Sequence, residues 1–261
     1  MENTPRKRIT IFLVLTMLLM YVSHGIIWIL LTRAGIAFDS LPIQILGIIG
    51  GGAPAFAALF LAYRMYSKPE QDAYWKRVFN VRASFPWWLL VLLGPAVFAS
   101  AQNLGLHGLS WRPELAAPDL LRYPLVFAGM IFAGGAEELG WRGTLLDEAR
   151  KTRFSLTSIA LATGLVWAVW HAPLFLIDEF AHANYAFLPY MLSTLVLSLF
   201  MTAVVVRTGS IGLAVLMHAS ANAAGSLGIS PAFAHDTGVY IALGVMIIAG
   251  VIFLRSCERK K

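Results

Sequence analysis

Charge is scarce in this 261-residue chain. Asp, Glu, Lys and Arg make up 13% of it, about half the share found in an ordinary soluble domain. With 58% hydrophobic residues and a mean hydropathy of +0.70, that shortage excludes a soluble globular protein and leaves a polytopic membrane protein. Cysteine is scarcer still: Cys257 stands alone, which excludes an intrachain disulfide and a cysteine-based structural metal site. No internal repeat and no shift in composition marks off a soluble unit, so residues 1–261 are expected to form a single integral membrane domain. The basic Met1–Arg8 is followed by an apolar run to about Leu31. That run is too long for a signal-peptide core and has no small-residue cleavage box, so it is expected to be a first span rather than a leader.

What the chain does have is long apolar runs. Eight are expected to be transmembrane helices of one all-α bundle around a central polar cavity: about Ile9–Leu31, Ile43–Tyr63, Phe85–Asn103, a fourth from Pro124, Leu156–Ile177, Phe187–Val206, Ile211–Leu227 and Thr237–Leu254. Pro54 is expected to bend or open the second. Pro86-Trp87-Trp88 suits an interfacial anchor at the start of the third. The polar stretch Ser67–Ser84 reads as a basic loop, with an amphipathic interfacial piece as the alternative. With both termini cytoplasmic, 17 of the 20 Lys and Arg fall in inner segments, leaving Arg33, Arg112 and Arg122 outside, as the positive-inside rule requires. The net charge of +6 is thereby assigned to membrane topology, and no nucleic-acid partner is expected. The bilayer is the expected surrounding, and the sequence is silent on oligomeric state.

Against this background the stretch Met130–Arg150 stands out, because Glu137, Glu138 and Arg142 interrupt an apolar run. Ionisable groups within a membrane are expensive to bury and mark a site by default. On a helix, Glu138 and Arg142 are four apart and share a face, while Glu137 is turned away by about 100°. One carboxylate is thus held by an arginine and its neighbour is free to act. Further on, Trp167 and His171 share a face, and so do His218 and Asn222. A carboxylate, two imidazoles and a carboxamide on three helices suffice to bind a divalent metal, or to hold and deprotonate water without one. His24 reads as a satisfied packing residue, and His107, His182 and His235 as residues of outer loops facing water. A coupling site in a transporter is the competing reading of the acidic pair; a non-catalytic immunity or scaffold factor is another.

The order E-E-x-x-x-R, aromatic-x-x-x-H, H-x-x-x-N resembles the CPBP family, the CAAX-protease and bacteriocin-processing (Abi-type) group of intramembrane proteases. The matches are Glu137-Glu138-Leu139-Gly140-Trp141-Arg142, Trp167 to His171 and His218 to Asn222, with Gly52-Ala53-Pro54 upstream. The resemblance covers the second span and a core of about 125–225. It implies an endopeptidase of the prokaryotic inner membrane acting on a lipidated or membrane-associated peptide. Glu137 would activate water, with His171, His218 and Asn222 around it, and Glu138 and Arg142 as structural support. Zinc or another divalent ion held by Glu137, His171 and His218 is expected, with a metal-independent glutamate mechanism as the alternative. Trp167 stands where the family usually has Phe, a change expected to alter packing beside His171 rather than chemistry. One inconsistency remains at this level: His171 lies deeper along its span than Glu137 and His218 do along theirs.

Overall fold

The computed structural model describes residues 4–113 and 116–258, and every regular element among them is helical. The long helices are α1 (Pro5–Ala34), α2 (Leu41–Gly51), α3 (Ala53–Met65), α4 (Lys68–Val78), α5 (Phe85–His107), α6 (Ala117–Ala133), α7 (Leu156–Trp170), α8 (Phe187–Thr208), α9 (Ile211–Ala223) and α10 (Thr237–Glu258). Between α6 and α7 the chain runs through an irregular helical segment, residues 135–149. Local chemistry sets the boundaries. Thr4 caps α1 by accepting from the Lys7 amide, with Pro5 in the first turn, and Gly35 ends the helix at φ 64°. Gly209 at φ 70° ends α8, and Ser210 at once caps α9 by accepting from the Leu213 amide. These two residues make the tight turn that sets α9 beside α8.

Among the described residues, five helices are long and apolar enough to cross a membrane (α1, α5, α7 with its continuation, α8 and α10), or six if α2 and α3 form one bent span. The protein is therefore an all-helical integral membrane protein. The expected count of eight is not reached by this measure, for a physical reason. The fourth run stops as a helix at Ala133 after 17 residues, and the seventh, Ile211–Leu227, is also short. Both run into the site described below. The bend expected at Pro54 is a 59° break between α2 and α3; proline lacks an amide hydrogen and fits the first turn of the new helix. Arg259, Lys260 and Lys261, counted in the charge partition, lie outside the described residues. Arg142, also counted there, is wholly buried and belongs to the interior rather than to a loop.

α8 is the central helix. Its apolar window is 72% buried, against 28% for α1, α5 and α10, and it packs on both α7 and α10. α10 turns Ile241, Val245, Ile248 and Ile252 outward along one face, a lipid-facing stripe at helical spacing. Polar groups are inside instead. Ser198 donates to the Ala160 carbonyl and Thr194 to that of Gly164, bridging α8 to α7.

Ser67–Ser84 is neither a plain loop nor a free interfacial piece. It forms α4, opened by a capping box in which Ser67 and Glu70 satisfy each other's backbone amides. Tyr74 is buried and its hydroxyl donates to the Leu139 carbonyl at 2.9 Å. Arg77 pairs with Asp147 and donates to the Gly209 carbonyl. Arg8 of α1 bonds to Glu70 at 2.6 Å and to Glu148 at 3.1 Å. α4 thus clamps the irregular segment at one end of the bundle.

That clamp makes stability acid-sensitive. The hydrogen bond from Arg8, chiefly, holds the Glu70 carboxyl down to about 2, from an ordinary 4.5. The unfolded chain therefore takes up this proton first. The stabilisation is complete above about 4.5 and lost as pH falls towards 2. Thermal unfolding of detergent-purified protein should show a loss on acidification from pH 5 to 3 that is smaller in Glu70→Gln; an identical acid profile would remove Glu70 from the clamp.

Candidate active site

The site is built where helices break. α6 ends at Ala133, Gly134 takes an extended φ of −159°, and a 3-10 turn Gly135–Glu137 follows. A short α turn Glu138–Gly140 then passes into a π-helical stretch, Trp141–Leu145. Irregular backbone at membrane depth is tolerated where protein buries it or a cavity takes it. Two glycines permit the path. A Cβ on Gly134 would lie 2.1 Å from Asn222 Nδ2, and one on Gly140 would lie 2.5 Å from the Pro54 carbonyl oxygen. Asn222 is therefore seated directly against the break, and α3 against the motif.

Glu137 and Glu138 part company, as adjacent residues on a helical turn must. Glu138 is fully buried, with Arg142 Nη1 at 3.1 Å from its Oε1 and 2.9 Å from its Oε2. The same Oε1 is 3.0 Å from His218 Nδ1 on α9. A carboxylate only accepts, so His218 Nδ1 carries the hydrogen and Nε2 is left for the cavity. Arg142 also lies over the Trp167 ring at 5.3 Å, a contact that partly replaces lost hydration.

Glu137 is held differently. Its Oε2 accepts from Trp167 Nε1 at 2.9 Å and from Trp141 Nε1 at 3.3 Å. Both donors are neutral, so the carboxylate is fixed in place without a matching cation. Trp141 is itself wedged between Phe12 and Trp170. The expectation that Trp167 changes packing alone is therefore corrected: its indole N–H is a partner of Glu137 that phenylalanine cannot supply. Sequence pattern could not see this, since tryptophan at a buried helix position reads first as bulk.

His171 follows the last residue of α7, and its Nδ1 donates to the Trp167 carbonyl at 2.9 Å, which leaves Nε2 as an acceptor. The depth inconsistency resolves here. Trp167 lies about 17 Å along the helix from Leu156, and its indole bonds directly to Glu137. Trp167 and Glu137 therefore meet level. His171 is one turn farther on, and helical side chains lean back over the preceding turn.

Glu137, His171, His218 and Asn222 line one cavity of about 560 Å³, together with Trp167, Tyr190 and Gln102. Glu138 and Arg142 stand behind its wall. Two histidines assigned elsewhere also reach it. His24 is buried, with Nδ1 donating to the Met20 carbonyl, so it is satisfied as expected, but it borders the cavity. His182 does not simply face water. The loop Ala181–Asn184 folds back so that its ring stacks on His171 at 5.6 Å, and burial pushes it down to about 4, keeping it neutral. No pattern within a loop announces such a return.

The donor types of Glu137, His171 and His218 suit zinc. However, among the described residues no group of three or more His, Cys, Asp or Glu side chains is arranged to hold a metal ion. Metal binding by Glu137, His171 and His218 stays an expectation, and the reaction is derived below from what the side chains themselves can do.

With this geometry in view, comparison with known proteins is specific. Residues 119–224 match the family described as type II CAAX prenyl endopeptidase, Rce1-like. The chain is also 36% identical over 56 residues to CAAX prenyl protease 2 of Methanococcus maripaludis. That match spans 22% of this chain and 20% of the relative.

The two glutamates should respond oppositely to amidation. Glu138→Gln strands Arg142 and weakens the hold on His218, and should cost about 3–5 kcal/mol, as should Arg142→Gln. Glu137→Gln keeps an acceptor for both indoles and removes a buried charge, so it should melt at or above wild type. Thermal unfolding of the three purified variants checks this, and a strongly destabilised Glu137→Gln would contradict it.

Proposed function

We propose, from the match of residues 119–224 to the type II CAAX prenyl endopeptidase family, that this chain is an intramembrane endopeptidase in which Glu137 activates water. The observation that carries this reading is the pairing of a cavity-facing carboxylate, held by two neutral N–H donors, with Asn222, His171 and His218 on the same cavity. Glu137 takes a proton from water as the water oxygen bonds to the scissile carbonyl carbon. Negative charge develops on the carbonyl oxygen. Asn222 Nδ2 is a donor for it that needs no change of protonation, and His218 adds a second donor when both its nitrogens carry hydrogens. His171 Nε2 accepts from the water and orients it. As the C–N bond breaks, Glu137 returns the proton to the leaving amine. Glu138 and Arg142 act through His218 and the shape of the segment, as positioning residues.

The substrate we propose is a lipidated or otherwise membrane-associated peptide, because a soluble one would have to leave water to reach the cavity. Both termini are proposed to be cytoplasmic, in a prokaryotic inner membrane, on the charge partition. Peptides from membranes containing wild type and Glu137→Gln should be compared by mass spectrometry. Cuts near membrane-proximal or lipid-anchored termini should vanish in the variant; unchanged cleavage would remove Glu137 as the base, and a changed solute gradient without changed cleavage would favour a transporter. Trp167→Phe should lower kcat roughly tenfold or more with little change in KM, the magnitude expected for losing a hydrogen bond to a charged group. Wild-type kcat in Trp167→Phe would return that residue to a packing role.

A further inference from the structure

Apart from the central cavity, α1 and α7 leave a second space. The two helices are tied at one level, where the Tyr21 hydroxyl donates to the Val169 carbonyl at 2.7 Å. Towards the N-terminal end of each helix they diverge into a half-open groove of about 950 Å³ that shares no lining residue with the central cavity. Its walls are mainly apolar, with Leu13 on α1 and Ile159, Ala162 and Val166 on α7, interspersed with Thr10, Ser158 and Thr163. From Thr4 to Leu13 the wall runs about 13 Å along the helix axis, enough for roughly ten methylenes of an extended chain. Its open end is different in kind. Arg6, Lys151 and Arg153 stand there, and among the described residues no acidic side chain lines the groove. Lys151 is engaged with Glu148 at 2.8 Å. Arg6 and Arg153 are exposed and have no ion-pair partner among the described residues.

A cationic mouth above an apolar slot between two membrane-spanning helices is complementary to one kind of molecule in a bilayer. We propose that this groove binds an anionic phospholipid, with its phosphate between Arg6 and Arg153 and one acyl chain along Leu13, Ile159 and Val166. Charge complementarity selects the headgroup, since basic pockets between transmembrane helices recognise anionic lipids. The apolar floor separates the site from a surface that merely attracts phosphate. Arg6 begins α1 and Arg153 follows the irregular segment, so the lipid would brace the same end of the bundle that α4 clamps. The proposal requires no catalysis and stands apart from the peptidase reading.

Native mass spectrometry of the detergent-purified chain, titrated with phosphatidylglycerol and in parallel with phosphatidylcholine, tests it. Wild type should hold one phosphatidylglycerol in clear preference to phosphatidylcholine. Arg6→Gln/Arg153→Gln should weaken phosphatidylglycerol roughly 30-fold, at about fivefold per surface cation. Ala162→Trp fills the slot without changing charge and should weaken it too. Removing two exposed cations elsewhere, in Arg64→Gln/Arg82→Gln, should leave binding as in wild type. The proposal is overturned if wild type does not discriminate the two lipids, or if the Arg64/Arg82 variant loses as much as the Arg6/Arg153 variant. It is equally overturned if Ala162→Trp binds normally, or if millimolar inorganic phosphate displaces the lipid.

Discussion

One buried carboxylate carries the architecture of the site. Glu138 bonds to Arg142 four residues along its own segment and to His218 on α9. In an apolar interior an unmatched charge costs several kcal/mol, so these three groups have to stay together. Their union has a geometric consequence. It ties the irregular segment 135–149 to α9, fixes which nitrogen of His218 faces the cavity, and places Asn222, one turn beyond His218, against Gly134. The outer clamp serves the same segment from the other side, through Tyr74 to Leu139, Arg77 to Asp147 and Arg8 to Glu148. A helix interrupted by 3-10 and π turns has weak reasons of its own to hold one shape. Here its shape comes from charge pairs that cannot separate cheaply.

The breaks themselves share a location. α6 stops at Gly134, α7 gives way at His171 to the 3-10 turn Ala172–Leu176 with Pro173, and α9 passes into another at Ala224. All three sit on the cavity wall or next to it. A regular helix satisfies its own backbone and presents side chains at fixed intervals. Breaking it lets consecutive residues face different environments, which is how Glu137 and Glu138 obtain different partners. The short α6 and α9 follow from the same requirement.

Much of this was legible in the sequence because polar residues in apolar runs have few bland explanations. Glu137, Glu138, Arg142, His171, His218 and Asn222 could be picked out that way, and the Glu138–Arg142 spacing foretold their contact. The link between Glu138 and His218 could not be read, being 80 residues apart in the chain. Nor could the work of Trp167 and Trp141, whose indoles count as bulk in any hydropathy pattern while each carries one donor. α4 was hidden for the opposite reason: its polar composition suits a loop, and its capping box and buried Tyr74 matter only once the irregular segment is there to receive them. His182 reaches His171 through a fold-back of its loop, which no periodicity encodes.

The unequal treatment of two neighbouring carboxylates is the strongest physical pointer to chemistry. If both served stability, both would be expected to have cations, because a neutral N–H offsets less of the cost of a buried charge than an arginine does. Glu138 has Arg142. Glu137 has two indoles, which fix one oxygen by direction, and among the described residues it makes no ion pair of its own. Such an arrangement lowers stability relative to an amide of the same shape. It persists in a well-packed wall of Phe12, Trp141, Trp167 and Trp170 whose burial readily offsets it. A carboxylate kept in position without a bonded cation is what proton abstraction needs, and a purely structural pair would have no use for the difference.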